Sequence, residues 1–70
     1  MTASYRIQQI AGNNRIEYQG HFYAAEELVE TIWIVNMELR NGLPKRERVA
    51  AKWQIARYEA LLAALREAGA

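Results

Sequence analysis

Residues 41–53 read NGLPKRERVAAKW, and the chain turns here. Gly42 suits the left-handed position that follows a helix, with Leu43 folding back as the apolar residue beyond it. Pro44, its φ fixed at about −65°, fits the first turn of a new helix. One helix therefore ends at Asn41-Gly42 and a second begins at Pro44. So short a connection makes the two helices antiparallel neighbours.

Upstream, the first helix covers residues 24–41, with Glu26 and Glu27 in its first turn, where the helix dipole favours carboxylates. Downstream, the second covers residues 44–68. Each carries two apolar stripes. In the first helix Leu28, Ile32, Val35 and Leu39 repeat at helical spacing, and Val29, Trp33 and Met37 form another line roughly 120° away, at 100° per residue. In the second, Ala51, Ile55, Tyr58, Leu62 and Leu65 form one line, and Val49, Trp53, Ala56, Ala60 and Ala63 the other.

The segment before the helices, residues 4–19, reads as a β-hairpin, SYRIQQI-AGNN-RIEYQG. Gly12 and Asn13 are the expected turn residues, because both tolerate positive φ. Ile7 then pairs with Tyr18 and Ile10 with Arg15. Tyr5, Ile7, Ile16 and Tyr18 share one face, and Arg6, Gln8, Glu17 and Gln19 the other, the alternation of a sheet buried on one side. A lone hairpin is unstable, so it is expected to lie on the helices, with Phe22 and Tyr23 stapling it to the first. The fold expected is α+β and mostly α: an N-terminal β-hairpin followed by an antiparallel two-helix hairpin in a single domain, residues 1–70.

A 70-residue chain buries a small core, and domains of this size usually need a disulfide, a metal or a partner. There is no Cys and His21 is the single histidine, which leaves oligomerisation as the expected support and no cofactor or metal. One apolar stripe per helix closes the helical hairpin; the second stripes need other cover. A homodimer forming a four-helix bundle supplies it. The expected interface is Val49, Trp53, Ala56, Ala60 and Ala63, with Val29 and Met37.

Catalytic patterns are absent from the sequence. Thr2, Ser4 and Thr31 have no base beside them in the pattern, and Glu26 and Glu30, one turn apart, read as a solvated acidic face. No phosphate-binding glycine loop, HExxH pair or calcium-loop signature occurs. His21 reads as a polar residue between strand and helix. The chain is expected not to be an enzyme. No run approaches the roughly 18 apolar residues of a membrane span, and MTASYRIQQI lacks the features of a secretory leader. A soluble, cytoplasmic protein with no membrane partner is expected.

The charge is unevenly placed. Two arginines against five glutamates leave residues 1–39 at −3; seven basic residues against three glutamates leave residues 40–70 at +4. Arg40, Lys45, Arg46, Arg48, Lys52 and Arg57 crowd into 18 positions. Lys45, Arg46 and Arg48 sit in the first turns of the second helix, where the dipole makes positive charge unfavourable by a few tenths to about 1 kcal/mol each. These six residues, with Trp33 as an aromatic anchor, are the expected partner-binding set, since such a field attracts acidic surfaces and arginine clamps carboxylates or phosphates.

Two interaction classes follow. A strand before two helices is similar in outline to the ribbon-helix-helix repressors, which implies DNA binding as the alternative. The sequence departs from that pattern in having two expected strands, longer helices, a largely apolar face of Tyr5, Ile7 and Gln9, and a weakly basic balance. In size, cysteine-free composition and lack of catalytic motifs, the chain resembles small phage-encoded proteins that take over host regulators, such as quorum-sensing anti-activators and anti-CRISPR proteins. That resemblance implies a host-cytoplasmic inhibitor that binds a bacterial transcription factor or a similar target.

Overall fold

The computed structural model describes residues 5–69. It contains β1 (Ile7–Ile10), β2 (Asn13–Tyr18), β3 (His21–Tyr23), α1 (Ala25–Asn41) and α2 (Lys45–Glu67). The strands form one antiparallel meander in the order β1-β2-β3, and the helices form the antiparallel hairpin that NGLP dictates. Thr2 and Ser4, including the first residue of the expected β-hairpin, lie outside the described residues.

The sheet differs from expectation in two ways. It has three strands, not two. Gln19 and Gly20 take φ of 52° and 81°, so the chain reverses there and His21–Tyr23 returns along β2, pairing Tyr18 with His21 and Ile16 with Tyr23. His21, Phe22 and Tyr23 are thus strand residues and not a loop. The first turn is also placed differently: Ala11 and Gly12, at φ 52° and 83°, are its central residues. Ile7 pairs with Ile16 and Ile10 with Asn13. Both reversals have positive φ at both central positions, the property of the I′ turns that match strand twist.

The shift in register is two residues, so the two faces of the strands are preserved. Ile7, Ile16 and Tyr23 form one row across the sheet. Ile16, on the central strand, is fully buried and joins Leu28, Leu61, Leu62 and Leu65 in the core, with Tyr5, Ile7, Tyr18, Tyr23, Ile32 and Tyr58 packed around them. On the opposite face Arg6 lies across from Glu17, their charged ends 4.0 Å apart.

The helices end where their sequences require. α1 has no side-chain N-cap, because Ala24 occupies that position. Instead, the Ala24 N–H donates to Glu27 Oε1 at 2.9 Å, one half of a capping box. Gly42 closes α1 at φ 91°, a conformation that costs glycine little, and its N–H donates to the Leu39 carbonyl at 3.3 Å. Pro44 is the residue just before α2, one position earlier than expected, with φ −53°. Its carbonyl accepts from the Arg48 N–H at 2.9 Å.

The first stripe of each helix faces inward. Leu28 and Val35 of α1 are buried, as are Ala51, Leu62 and Leu65 of α2. Leu61 and Ala24 are also buried, although neither belongs to a predicted stripe. Leu61 is covered because the sheet lies against that flank of α2.

The core is concentrated at the sheet end of the molecule. Towards the bend only Val35 and Ala51 are buried. There an open groove is lined by Val35, Glu38, Leu43, Glu47, Ala51 and Gln54.

Candidate functional site

The sheet covers one flank of the helical hairpin and leaves the second stripes bare. On α1, Trp33 is 61% exposed, and Val29 and Met37 are exposed with it. Trp33, Asn36, Met37 and Arg40 together line a shallow open groove. The Asn36 side chain turns back to donate to the Ile32 carbonyl at 3.0 Å, so its amide is occupied on its own helix. Ile34, on another flank of α1, is exposed as well; it belongs to neither stripe, so helical periodicity does not single it out.

On α2, Val49 is 53% and Trp53 is 70% exposed. Ala56, Ala60 and Ala63 continue that exposed line towards the C-terminal end of the helix. Tyr5 lies at its border, lining a groove with Trp53, Ala56, Arg57 and Ala60. All seven residues predicted for a dimer interface are therefore on the surface of the single chain. The sequence pattern places Tyr5 only on the sheet. Its position at the end of the β1 face, next to α2, is a matter of tertiary docking that strand alternation does not report.

The basic set divides. Arg40, Lys45, Arg46, Arg48 and Lys52 are exposed, and among the described residues none of them makes an ion pair; the two pairs present are Arg6–Glu17 and Arg15–Glu27. At 100° per residue, Lys45 and Lys52 share the side of α2 that carries Val49 and Ala56. Arg46 and Arg57 fall roughly 100° further round. Arg57 has a specific place, with its guanidinium 5.9 Å from the centre of the Tyr18 ring. It is thereby part of the sheet–helix packing. The six basic residues do not form one continuous face.

Tyr18, Tyr23 and Tyr58 form the remaining cluster. The Tyr58 ring meets Tyr18 edge-on at 6.1 Å and Tyr23 at 6.3 Å between centroids. Burial, with the Tyr23 and Tyr18 phenols beside it, pushes the Tyr58 phenol above its usual 10.0. His21 is exposed, its ring 6.2 Å from Tyr23. Glu26 and Glu30 are exposed, and the Thr31 hydroxyl donates to the Glu27 carbonyl at 2.9 Å. These side chains are spread over separate surfaces and are not brought together as a nucleophile–base pair.

No protein-family model, curated protein or solved structure matches the chain. Among the described residues no helix is long and apolar enough to cross a membrane. The chemistry on display is exposed apolar and aromatic surface on two helices, flanked by positive charge that makes no ion pair among the described residues.

Proposed function

We propose that this chain is a non-enzymatic protein-interaction module, a homodimer that binds and inhibits or modulates a bacterial host protein such as a transcriptional regulator. The observation that carries this reading is the exposure of Trp33 and Trp53, at 61% and 70%, on helices whose inward stripes are already buried. Large contiguous apolar surface marks an interaction site on a small domain. Tryptophan in such a position is a common hot spot.

The two helices divide the work. The α2 line from Val49 to Ala63 forms the dimer seam, with Val29 and Met37 of α1 joining the four-helix bundle. Trp33, with Arg40 beside it, contacts the partner, and Lys45, Arg46, Arg48 and Lys52 steer an acidic surface towards it. Nucleic-acid binding draws less support from the placement of the charges, because the basic residues occupy different faces of α2 and β1 is paired within its own sheet.

Three measurements test the proposal. Sedimentation gives the mass: a stable species at twice 8.1 kDa is expected, and a monomer at high micromolar concentration overturns the dimer. Affinity capture from bacterial lysate, followed by titration of the identified protein, is expected to give binding that Trp33→Ala weakens by about tenfold or more. Equal affinity of that variant rejects the assigned surface. Retardation of random duplex DNA that Arg46→Ala/Arg48→Ala abolishes would instead favour the nucleic-acid class.

A further inference from the structure

We infer that the second copy docks antiparallel, with α2 crossing α2 of the partner subunit about a two-fold axis at Ala56. This inference rests on the dimer reading above and adds its direction and register. It arises from the distribution of bulk and charge along one exposed helix face.

Bulk comes first. Along the exposed line of α2, Val49 and Trp53 occupy the N-terminal half and Ala56, Ala60 and Ala63 the rest. A parallel pair would set Trp53 against Trp53 and Val49 against Val49, and leave alanine facing alanine beyond them. The helices would be wedged apart at one end and too far apart to touch at the other. Reversing one helix about Ala56 sets Val49 against Ala63 of the partner subunit. Trp53 then lies over Ala60 of the partner subunit, within one residue of register. Large faces small on either side of an alanine–alanine contact at the axis, which permits close packing of the two helices.

Charge gives the same centre independently. Lys45 and Glu67 are the first and last residues of α2. Each opposes its own helix dipole, which disfavours a cation at the N-terminus and an anion at the C-terminus. Neither has an ion-pair partner among the described residues. Lys45 stands eleven residues before Ala56 and Glu67 eleven after. Eleven residues are about three helical turns, so all three lie on one face of the helix.

In the reversed arrangement Lys45 meets Glu67 of the partner subunit, twice by symmetry. Each charge then lies at the end of the neighbouring helix whose dipole favours it. Lys52 and Glu59, four residues before and three after the same centre, approach each other on one flank. A parallel pair would instead press the Lys45, Arg46 and Arg48 turn against its own copy. The Lys45 charge, which nothing within one chain requires at the start of α2, thus gains a structural role.

The chain has no cysteine, so single cysteines report register directly, since a disulfide forms only where Cα atoms come within about 7 Å. Val49→Cys and Ala63→Cys variants are mixed in urea, refolded together and oxidised gently. Cross-linked dimer is expected from the mixture, and little from either variant alone. Cross-linking of Val49→Cys to itself indicates a parallel seam and overturns the inference. A dimer by sedimentation that cross-links in none of the three samples has its seam elsewhere and also overturns it, while the dimer reading survives. A monomer by sedimentation fails both.

A charge readout needs no cross-link. Lys45→Glu is expected to weaken dimerisation on the order of tenfold, and adding Glu67→Lys to the same chain is expected to restore it. In a parallel dimer Lys45→Glu relieves repulsion and tightens association, the opposite sign. Glutamate at position 45 suits the start of its own helix, so weaker association of this variant is not a folding defect.

Discussion

Arg15 on β2 and Glu27 in the first turn of α1 are joined at 3.1 Å through Glu27 Oε1, the same oxygen that accepts the Ala24 N–H. One carboxylate oxygen thus caps a helix and ties it to the central strand. The two jobs are unequal. Glu27 satisfies a backbone donor that Ala24, lacking a side-chain oxygen, leaves to it. The Arg15 contact is a partly exposed ion pair, and the Arg15 Nε is buried without a partner. Glu27→Ala is expected to cost about 1 kcal/mol. Arg15→Met is expected to be near neutral, because it removes an unsatisfied polar atom along with a weak pair. Urea titrations of the two variants check the order; equal losses would mean the ion pair dominates.

The turn at Ala11-Gly12 holds an alanine at φ 52°. Asparagine adopts that region more readily, and Asn-Gly is the favoured pair for this turn. Ala11→Asn is therefore expected to stabilise the fold by up to about 1 kcal/mol. Thermal denaturation is the readout. A lower midpoint would show that the turn lies at different residues.

Leu61 is fully buried between sheet and helices. Leu61→Ala is expected to cost about 2–5 kcal/mol, as truncation of a core leucine does, and so to leave a domain this small largely unfolded. Ile34→Ala, at an exposed position of α1, is expected to change stability by about 0.5 kcal/mol or less. Far-ultraviolet circular dichroism at room temperature separates the two outcomes: helical signal is lost in the first variant and kept in the second. Native-like signal and midpoint for Leu61→Ala would contradict its place in the core.

Tyr58 confers an alkaline sensitivity. Its phenol is raised above 10.0 in the folded state by burial and by Tyr23 and Tyr18. The folded protein thus holds that proton more tightly than the unfolded chain. The associated stability is fully present below the unfolded pKa and is lost as pH rises through the folded one. Tyr58→Phe, which cannot ionise, is expected to show a shallower fall in stability above about pH 10. An unchanged slope would assign the fall to other groups.

The helical part of this architecture is legible in the sequence because NGLP fixes a boundary by local chemistry and the inward stripes repeat at helical spacing. β3 is not legible: HFY is too short to show a period, and the reversal before it uses Gln19, a residue with no turn preference. The register of β1 and β2 is ambiguous in the sequence because AGNN offers two adjacent tight turns. The fold selects Ala11-Gly12, which sets Ile7 directly against Ile16. Leu61 and Tyr5 depend on where the sheet docks, which no single-element periodicity encodes. The second apolar stripe of each helix is legible as a surplus of apolar positions, and in the single chain these residues are exposed.

The unequal distribution of the core has a consequence for how this chain can change. Ile16, Leu28, Leu61, Leu62 and Leu65 anchor one end, while the bend from Arg40 to Arg48 contributes no buried side chain. Apart from Gly42 and Pro44, whose backbone roles the bend requires, substitutions there meet few packing constraints within the single chain. The molecule thus separates a packed anchor from an adaptable tip, and a library randomised at positions 40, 46 and 48 would retain the fold of the single chain while sampling new surfaces.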